Sequence, residues 1–444
     1  MKIILASTPL PGHLNPLLAV GRILIAAGHE VVVTSGSGFR DRAETIGAGF
    51  HPLPAKADLD LLHIDDIFPE RKSLPPGPPQ LRFDMEHIFL DTIPAQFAGL
   101  NDILRTFPAD LILVDTLFGG TLPFALGAPA ARRPATAGLG VIFLPFHRDD
   151  GAPGGLGLLP ATGPEQFAQY QAIAGQVKAG LLQPVQAHAD GMLMQLGAAK
   201  LPMPYFDALV ALHDLFLQPT VPGFEYPRRD LPHGVRFIGA LPPPSGYPMP
   251  DAVTAALGQG KRIVLVTQGT VANFDLGQLL APTLAALAER DDLVVLAATG
   301  GRAIADIPGR IPANAIAAPF LPFDRIMPRV DVLVTNGGYG TVSHALSVGV
   351  PLVVAGATED KPEVGARVAW SGTGIDLRTE TPSAEQVRVA VGAVLAEPPY
   401  RARAHALSRE FGRYDAAAEI CRLLEHAVAE RTRGGHGTHP LHAD

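Results

Sequence analysis

Residues 240–250 read ALPPPSGYPMP, five prolines in eleven positions. Proline fixes φ and has no backbone N–H to give to a helix or a strand ladder. A stiff, extended connector is what such a stretch makes, and it divides the chain. The same pattern stands on both sides of it. In the first half an apolar run, KIILAS from residue 2, is followed by a Pro/Gly-rich loop, a helical segment at 16–27, Gly28 placed to cap it, and a second apolar run, EVVVTS, from residue 30. A further helical segment at 93–107 leads into DLILVD at 110–115. Short runs that are apolar throughout fit strands buried on both faces of a parallel sheet. Strands alternating with helices then give a doubly wound α/β layer. After the connector the alternation restarts with RIVLVT at 262–267, a helix expected at 275–289, DLVVLAA at 292–298, DVLVT at 331–335 and LVVA at 352–355. The expected fold class is therefore α/β, with two Rossmann-like parallel-sheet domains at 1–240 and 251–430. The linker is 241–250, and 431–444 is expected to be a disordered tail. A ligand belongs in the cleft between the domains. Two inserts, 56–90 and 145–215, are rich in Leu, Phe, Met, His and Pro and read as irregular.

Composition narrows the function. Of 444 residues 47% are hydrophobic and 18% charged, a globular balance, and no run approaches the roughly 18 apolar residues of a membrane span. A net charge of −8 offers no field for a phosphate backbone, which leaves small molecules rather than nucleic acid as partners. Prolines 9 and 11 cut the N-terminal apolar run to about five residues, short of a signal peptide's h-region. The single cysteine, Cys421, excludes an internal disulfide and fits a cytoplasmic protein.

The stretch 331–374, DVLVTNGGYGTVSHALSVGVPLVVAGATEDKPEVGARVAWSGTG, is the most informative. A strand ends at Thr335, and Gly337, Gly338 and Gly340 let the backbone approach a ligand before a helix begins near Thr341. Unpaired amides at a helix start, with the macrodipole, suit a diphosphate. No GKS or GKT follows, so this is not a P-loop. Acidic pairs at Asp58 and Asp60 and at Asp65 and Asp66 read as surface charge. No metal site and no cofactor is expected.

Segment 320–374 resembles the donor-binding signature of the inverting family 1 glycosyltransferases of the GT-B fold, whose usual form runs W-x-P-Q, then H-x-G-x-x-S/T, then E, G-V-P and D-Q. Here those places hold Phe320, Pro322 and Phe323, then Asn336, Gly338, Gly340 and Thr341, then His344, residues 349–351, and Asp360 with Lys361. The N-terminal PLPGHLNPLLAVGRIL is similar to the family's P-x-x-G-H-x-x-P followed by a helix. The two motifs stand in the family's order, and the layout matches over the whole chain.

The resemblance implies that Phe320 stacks on a nucleobase and that Gly269 and Thr270 touch the diphosphate or sugar. Gly338, Gly340 and Thr341 would hold the diphosphate, and Asp360 would accept from sugar hydroxyls. Three positions depart from the pattern. Asn336 replaces His, His344 replaces the Glu that grips the ribose, and Lys361 replaces Gln, so a thymidine donor stays open beside a uridine one. His13, at the carboxyl end of the first strand, is the candidate base, since an imidazole near its ordinary pKa accepts a hydroxyl proton at neutral pH. Asp115, ending its own strand at the same sheet edge, would hold its tautomer. The inserts offer Phe83, Met85, Phe89, Met192 and Phe206 as an acceptor pocket or as ordinary core.

The implied activity is metal-independent transfer, with inversion, of a sugar, expected to be glucose, from a UDP rather than a TDP donor to a hydroxyl of a lipophilic small molecule. The rivals are a noncatalytic nucleotide-sugar-binding or partner-activating protein, and another GT-B enzyme such as an epimerase or a lipid-linked-sugar transferase.

Overall fold

The computed structural model describes residues 1–434 apart from Pro76, Ala131, Pro244, Ser245, Val271 and Ala272. The expected two-sheet architecture is present. The first sheet comprises β1 (Lys2–Ala6), β2 (Glu30–Ser35), β3 (Gly49–Pro52), β4 (Leu111–Asp115), β5 (Ala135–Leu139), β6 (Leu215–Gln218) and β7 (Val235–Phe237), in the order β3-β2-β1-β4-β5-β6-β7. The second comprises β8 (Arg262–Thr267), β9 (Leu293–Ala298), β10 (Ala315–Ala318), β11 (Val332–Thr335), β12 (Leu352–Val354) and β13 (Gly374–Asp376), in the order β10-β9-β8-β11-β12-β13. Neighbouring strands are parallel, with Leu5 opposite Leu113 and Thr267 opposite Thr335. Strand order reverses between β1 and β4 and again between β8 and β11. Ligands of open α/β sheets sit beyond the carboxyl ends of strands at such reversals.

Burial explains which strands are plain in the sequence. Ile3, Leu5, Leu111, Leu113, Val264 and Val266 are wholly buried, so nothing polar interrupts their runs. The short β3, β7 and β13 and the Gly- and Thr-containing β5 carry no such run.

Four expectations are corrected. The first helix spans Pro11–Ala26 rather than starting at residue 16. Pro11 occupies its first turn, where a missing N–H costs nothing, and Pro16 deprives only the Gly12 carbonyl of a donor. The inserts are not irregular: Pro78–Asp84 runs into a π-helical turn, Met85–Leu90, and Pro164–Val177, Gln183–Gln195 and Tyr205–Ala211 are helices. Residues 431–434 belong to a final helix, Ala416–Gly434, while the rest of the expected tail, 435–444, lies outside the described residues. That helix does not belong to the second domain's core. Its Ile420, Leu423, Leu424 and Ala427 pack with Ile3, Leu5 and Leu14 of the first, so the chain crosses back to finish the domain it began.

A buried polar network joins the domains. Arg367 Nε donates to Glu225 (2.9 Å) and Nη1 to Glu363 (2.7 Å), and all three side chains are at most 1% exposed. Tyr339 Oη donates to Glu225 (3.1 Å) and accepts from Gln218 Nε2 (2.7 Å). The backbone N–H groups of Gly155 and Gly157 donate to Glu363.

Candidate active site

The carboxyl ends of β1 and β4 bring His13 and Asp115 together. His13 lies in the first turn of its helix, not in a loop before it, and its Nδ1 is 2.7 Å from Asp115 Oδ1. Asp115 is fully buried and accepts from the Thr8 N–H (2.6 Å) and the Leu117 N–H (2.9 Å), with the Thr8 hydroxyl at 3.3 Å. A carboxylate with these donors stays ionised and cannot rotate. Burial opposes its charge, yet His13 and the backbone donors hold its pKa below the usual 3.8. Burial likewise disfavours an imidazolium, but Asp115 outweighs it and His13 is raised above 6.5. Asp360 and Glu359 of the second domain push the same way, so His13 faces the donor-side acids across the cleft. With Nδ1–H bound to Asp115, Nε2 carries the lone pair. That is the tautomer of a general base.

The second sheet presents two glycine turns at its own reversal. Gly269 follows β8 with φ 72° and Gly337 follows β11 with φ 93°, both in the left-handed region. Asn336 Nδ2 donates to the Gln268 carbonyl (2.6 Å), so one of this amide's two N–H groups ties the two turns together. The helix Tyr339–Ser347 begins two residues earlier than expected, and no side chain caps its start. Its first intrahelical bond is Val342 N–H to the Gly338 carbonyl, which leaves the amides before it for a ligand. A Cβ on Gly338 or Gly340 would meet nothing within 4 Å, so the space before this turn is open. Thr270 is exposed and Thr341 half-buried on its rim.

Four more donor-side residues surround these turns. Phe320 follows β10 and keeps 41% exposure. His344 is buried, and that burial lowers its pKa to about 4, with the Asp324 charge opposing, so the ring is neutral at pH 7. Asp360 is pushed up to about 6 by burial and Glu359, against the pull of Lys361 and His13. Lys361 is 4% exposed and ion-paired with Glu359, which itself holds a left-handed φ of 57°. Lys361 therefore neither points away nor stands uncompensated; with Asn336, Gln268 and Glu380 it lines a small cavity. Gln268, Glu359 and Tyr339 carried no signal of their own, because each acts through a contact distant in sequence or through backbone geometry.

On the first domain Phe83, Phe89, Met192 and Phe206 are half-buried on insert helices. Met85 is 2% exposed within the core beside Leu90, Ile93 and Leu193, and is a core side chain, not a pocket wall. The acidic pairs have local partners: Asp58 accepts from the Ser37 N–H (2.9 Å), Asp60 from the Leu62 N–H (3.2 Å), and Asp65 pairs with Arg71 (2.8 Å). Among the described residues no cluster of three His, Cys, Asp or Glu side chains could hold a metal ion, and no helix is long and apolar enough to cross a membrane.

Residues 281–427 match the family profile described as erythromycin biosynthesis protein CIII-like, C-terminal domain. The chain is 37% identical over 437 residues to UDP-glycosyltransferase 2 of Phaeomoniella chlamydospora, covering 96% of each chain. It is 37% identical over 431 residues to 4'-demethylrebeccamycin synthase of Lentzea aerocolonigenes, covering 96% of this chain and 99% of the relative. Its fold is similar to a crystal structure of the glycotransferase of kitacinnamycin, with a TM-score of 0.70 at 21% identity over 96% of this chain and 98% of that one.

Proposed function

Because the chain belongs to the family 1 natural-product glycosyltransferases of the GT-B fold, we propose that it moves glucose from UDP-glucose to a hydroxyl of a lipophilic small molecule, with inversion and without a metal ion. The observation that carries this reading is the half-buried His13 held by the buried Asp115 at the β1/β4 reversal, facing Asp360 across the cleft.

In the proposed step His13 Nε2 takes the proton of the acceptor hydroxyl as its oxygen bonds to the anomeric carbon. The bond from that carbon to the diphosphate breaks on the opposite face, and the leaving diphosphate keeps the electron pair. No covalent enzyme intermediate forms, so an α-linked donor yields a β-linked product. Asp115 fixes the imidazole and stabilises its cation. The amides at the start of Tyr339–Ser347, with Gly338, Gly340 and Thr341, receive the diphosphate charge, the role a metal fills elsewhere. Asp360 accepts from sugar hydroxyls, Gly269 and Thr270 close the site from β8, and Phe320 stacks on the base. Half-buried Phe83, Phe89, Met192 and Phe206 supply apolar surface for the acceptor. The name of the relative from Phaeomoniella chlamydospora favours a uridine donor. A cytoplasmic location completes the reading.

The test incubates the protein in EDTA with UDP-glucose or TDP-glucose and a set of lipophilic alcohols and phenols, reading product by mass spectrometry and donor by NMR. Acceptor-dependent nucleotide release that survives the chelator is expected. A neutral His344 offers the ribose one accepting nitrogen, so the uridine donor should be preferred only about tenfold. His344→Glu should widen that ratio. Epimerised donor without acceptor, binding without turnover, or activity restored only by magnesium or manganese would each contradict the proposal.

A further inference from the structure

The connector contributes a ring to the ligand edge of the second domain. Tyr247 and Phe320 lie with ring centroids 5.0 Å apart and planes 13° from parallel, an offset stack. Phe320 stands just past β10, at the carboxyl edge of the sheet, and its tip abuts Gly301, where a Cβ would come within 2.8 Å of Cζ. Both rings stay exposed, Phe320 at 41% and Tyr247 at 37%. Tyr247 covers one face of Phe320, so exposure on this scale leaves the other face open. Two stacked rings ending in an open aromatic face, at the edge where parallel sheets bind ligands, accept a flat heteroaromatic group as a third layer. At a centroid separation of 5.0 Å no base fits between the two rings, so it must stack on the outer face.

We infer that Tyr247 is the second layer of a nucleobase platform: it backs Phe320 from the interdomain connector, and the pyrimidine of a nucleoside diphosphate stacks on the opposite face of Phe320. This rests on the reading of Phe320 as the base-stacking side chain. Tyr247 is a positioning residue, acting on the nucleotide through Phe320. It also ties donor binding to the connector, so the nucleotide is gripped best when the connector holds Tyr247 against the second domain.

Calorimetric titration with UDP and with TDP, on the wild type and on Tyr247→Ala, Tyr247→Phe and Phe320→Ala, tests this, with inorganic pyrophosphate as a probe lacking a base. Tyr247→Ala should weaken both nucleotides roughly two- to tenfold, the range of one aromatic stack. It should raise the donor KM with kcat unchanged and leave pyrophosphate binding as it was. Tyr247→Phe should restore nucleotide affinity, and Phe320→Ala should cost more than Tyr247→Ala. Equal loss of pyrophosphate and UDP would mark a general structural defect and overturn the inference. Unchanged or tighter UDP binding by Tyr247→Ala, while Phe320→Ala weakens it, would overturn the platform but spare Phe320. Unchanged binding by Phe320→Ala would remove both.

Discussion

At the scale of single residues, catalysis depends on protonation. His13 works as a base only when neutral, and its pKa is raised above 6.5; Asp360 accepts from sugar hydroxyls only when ionised, and its pKa is about 6. Both requirements fail on the acid side. The rate kcat/KM should therefore rise with pH through both values and, well below them, vary as the inverse square of the proton concentration. In Asp115→Ala the burial that disfavours the imidazolium stays while the carboxylate that favours it is gone. Its acid limb should move to lower pH, on a rate reduced by part of the roughly 10²- to 10⁴-fold that general-base catalysis supplies. A pH profile of this variant with an unmoved acid limb would remove Asp115 from the role. Asp115 was legible because it closes an apolar run, and His13 because it stands in the N-terminal family motif that follows another; topology then makes the two strand ends neighbours. Asn336 and Lys361 were not: one donates to a backbone carbonyl 68 residues away, the other to an acid held in a left-handed turn. Met85 misled because spacing alone does not say which face of an insert helix turns inward.

At the scale of elements, the glycine turn after β11 separates folding from binding. Gly337 has φ 93° and a Cβ there would stand 2.8 Å from Val354 Cγ1, whereas Gly338 has an ordinary φ of −57° and open space in front. Gly337→Ala should cost roughly 1–3 kcal/mol of stability, read from the chemical unfolding midpoint. Gly338→Ala should fold as the wild type but place a methyl where a phosphate oxygen would meet the helix amides, weakening UDP on the order of tenfold or more. The reverse pattern would mean that the turn serves packing only. The strands around this turn read clearly because full burial keeps them apolar. The pattern starts the first helix at residue 16 because Pro11 and Gly12 read as loop, yet the first turn tolerates Pro11 and a single unpaired carbonyl accommodates Pro16 inside the helix.

At the scale of the molecule, two domains act as one because buried charges bind them. Arg367 pairs with Glu225 and Glu363 where all three are at most 1% exposed; Arg367→Met leaves Glu363 with backbone donors alone and Glu225 with the longer pair to Arg228 (3.6 Å), and should cost roughly 3–5 kcal/mol, measured by denaturant unfolding. Unfolding at the wild-type midpoint would show that the domains are held otherwise. Neither this network nor the return of the helix Ala416–Gly434 to the first sheet was legible, since both are pairings between segments that local pattern does not connect. The division of labour follows from the same architecture: the base lies in the first domain, the nucleotide site in the second. The decisive measurement is therefore made on His13→Ala, with acceptor-dependent transfer from UDP-glucose and the UDP dissociation constant read on the same preparation in EDTA. Transfer should fall at least roughly 10²-fold, the low end for a lost general base, while UDP binds as tightly as to the wild type. Wild-type turnover by His13→Ala, or loss of UDP binding along with transfer, would contradict the assignment of base and nucleotide to opposite walls of the cleft.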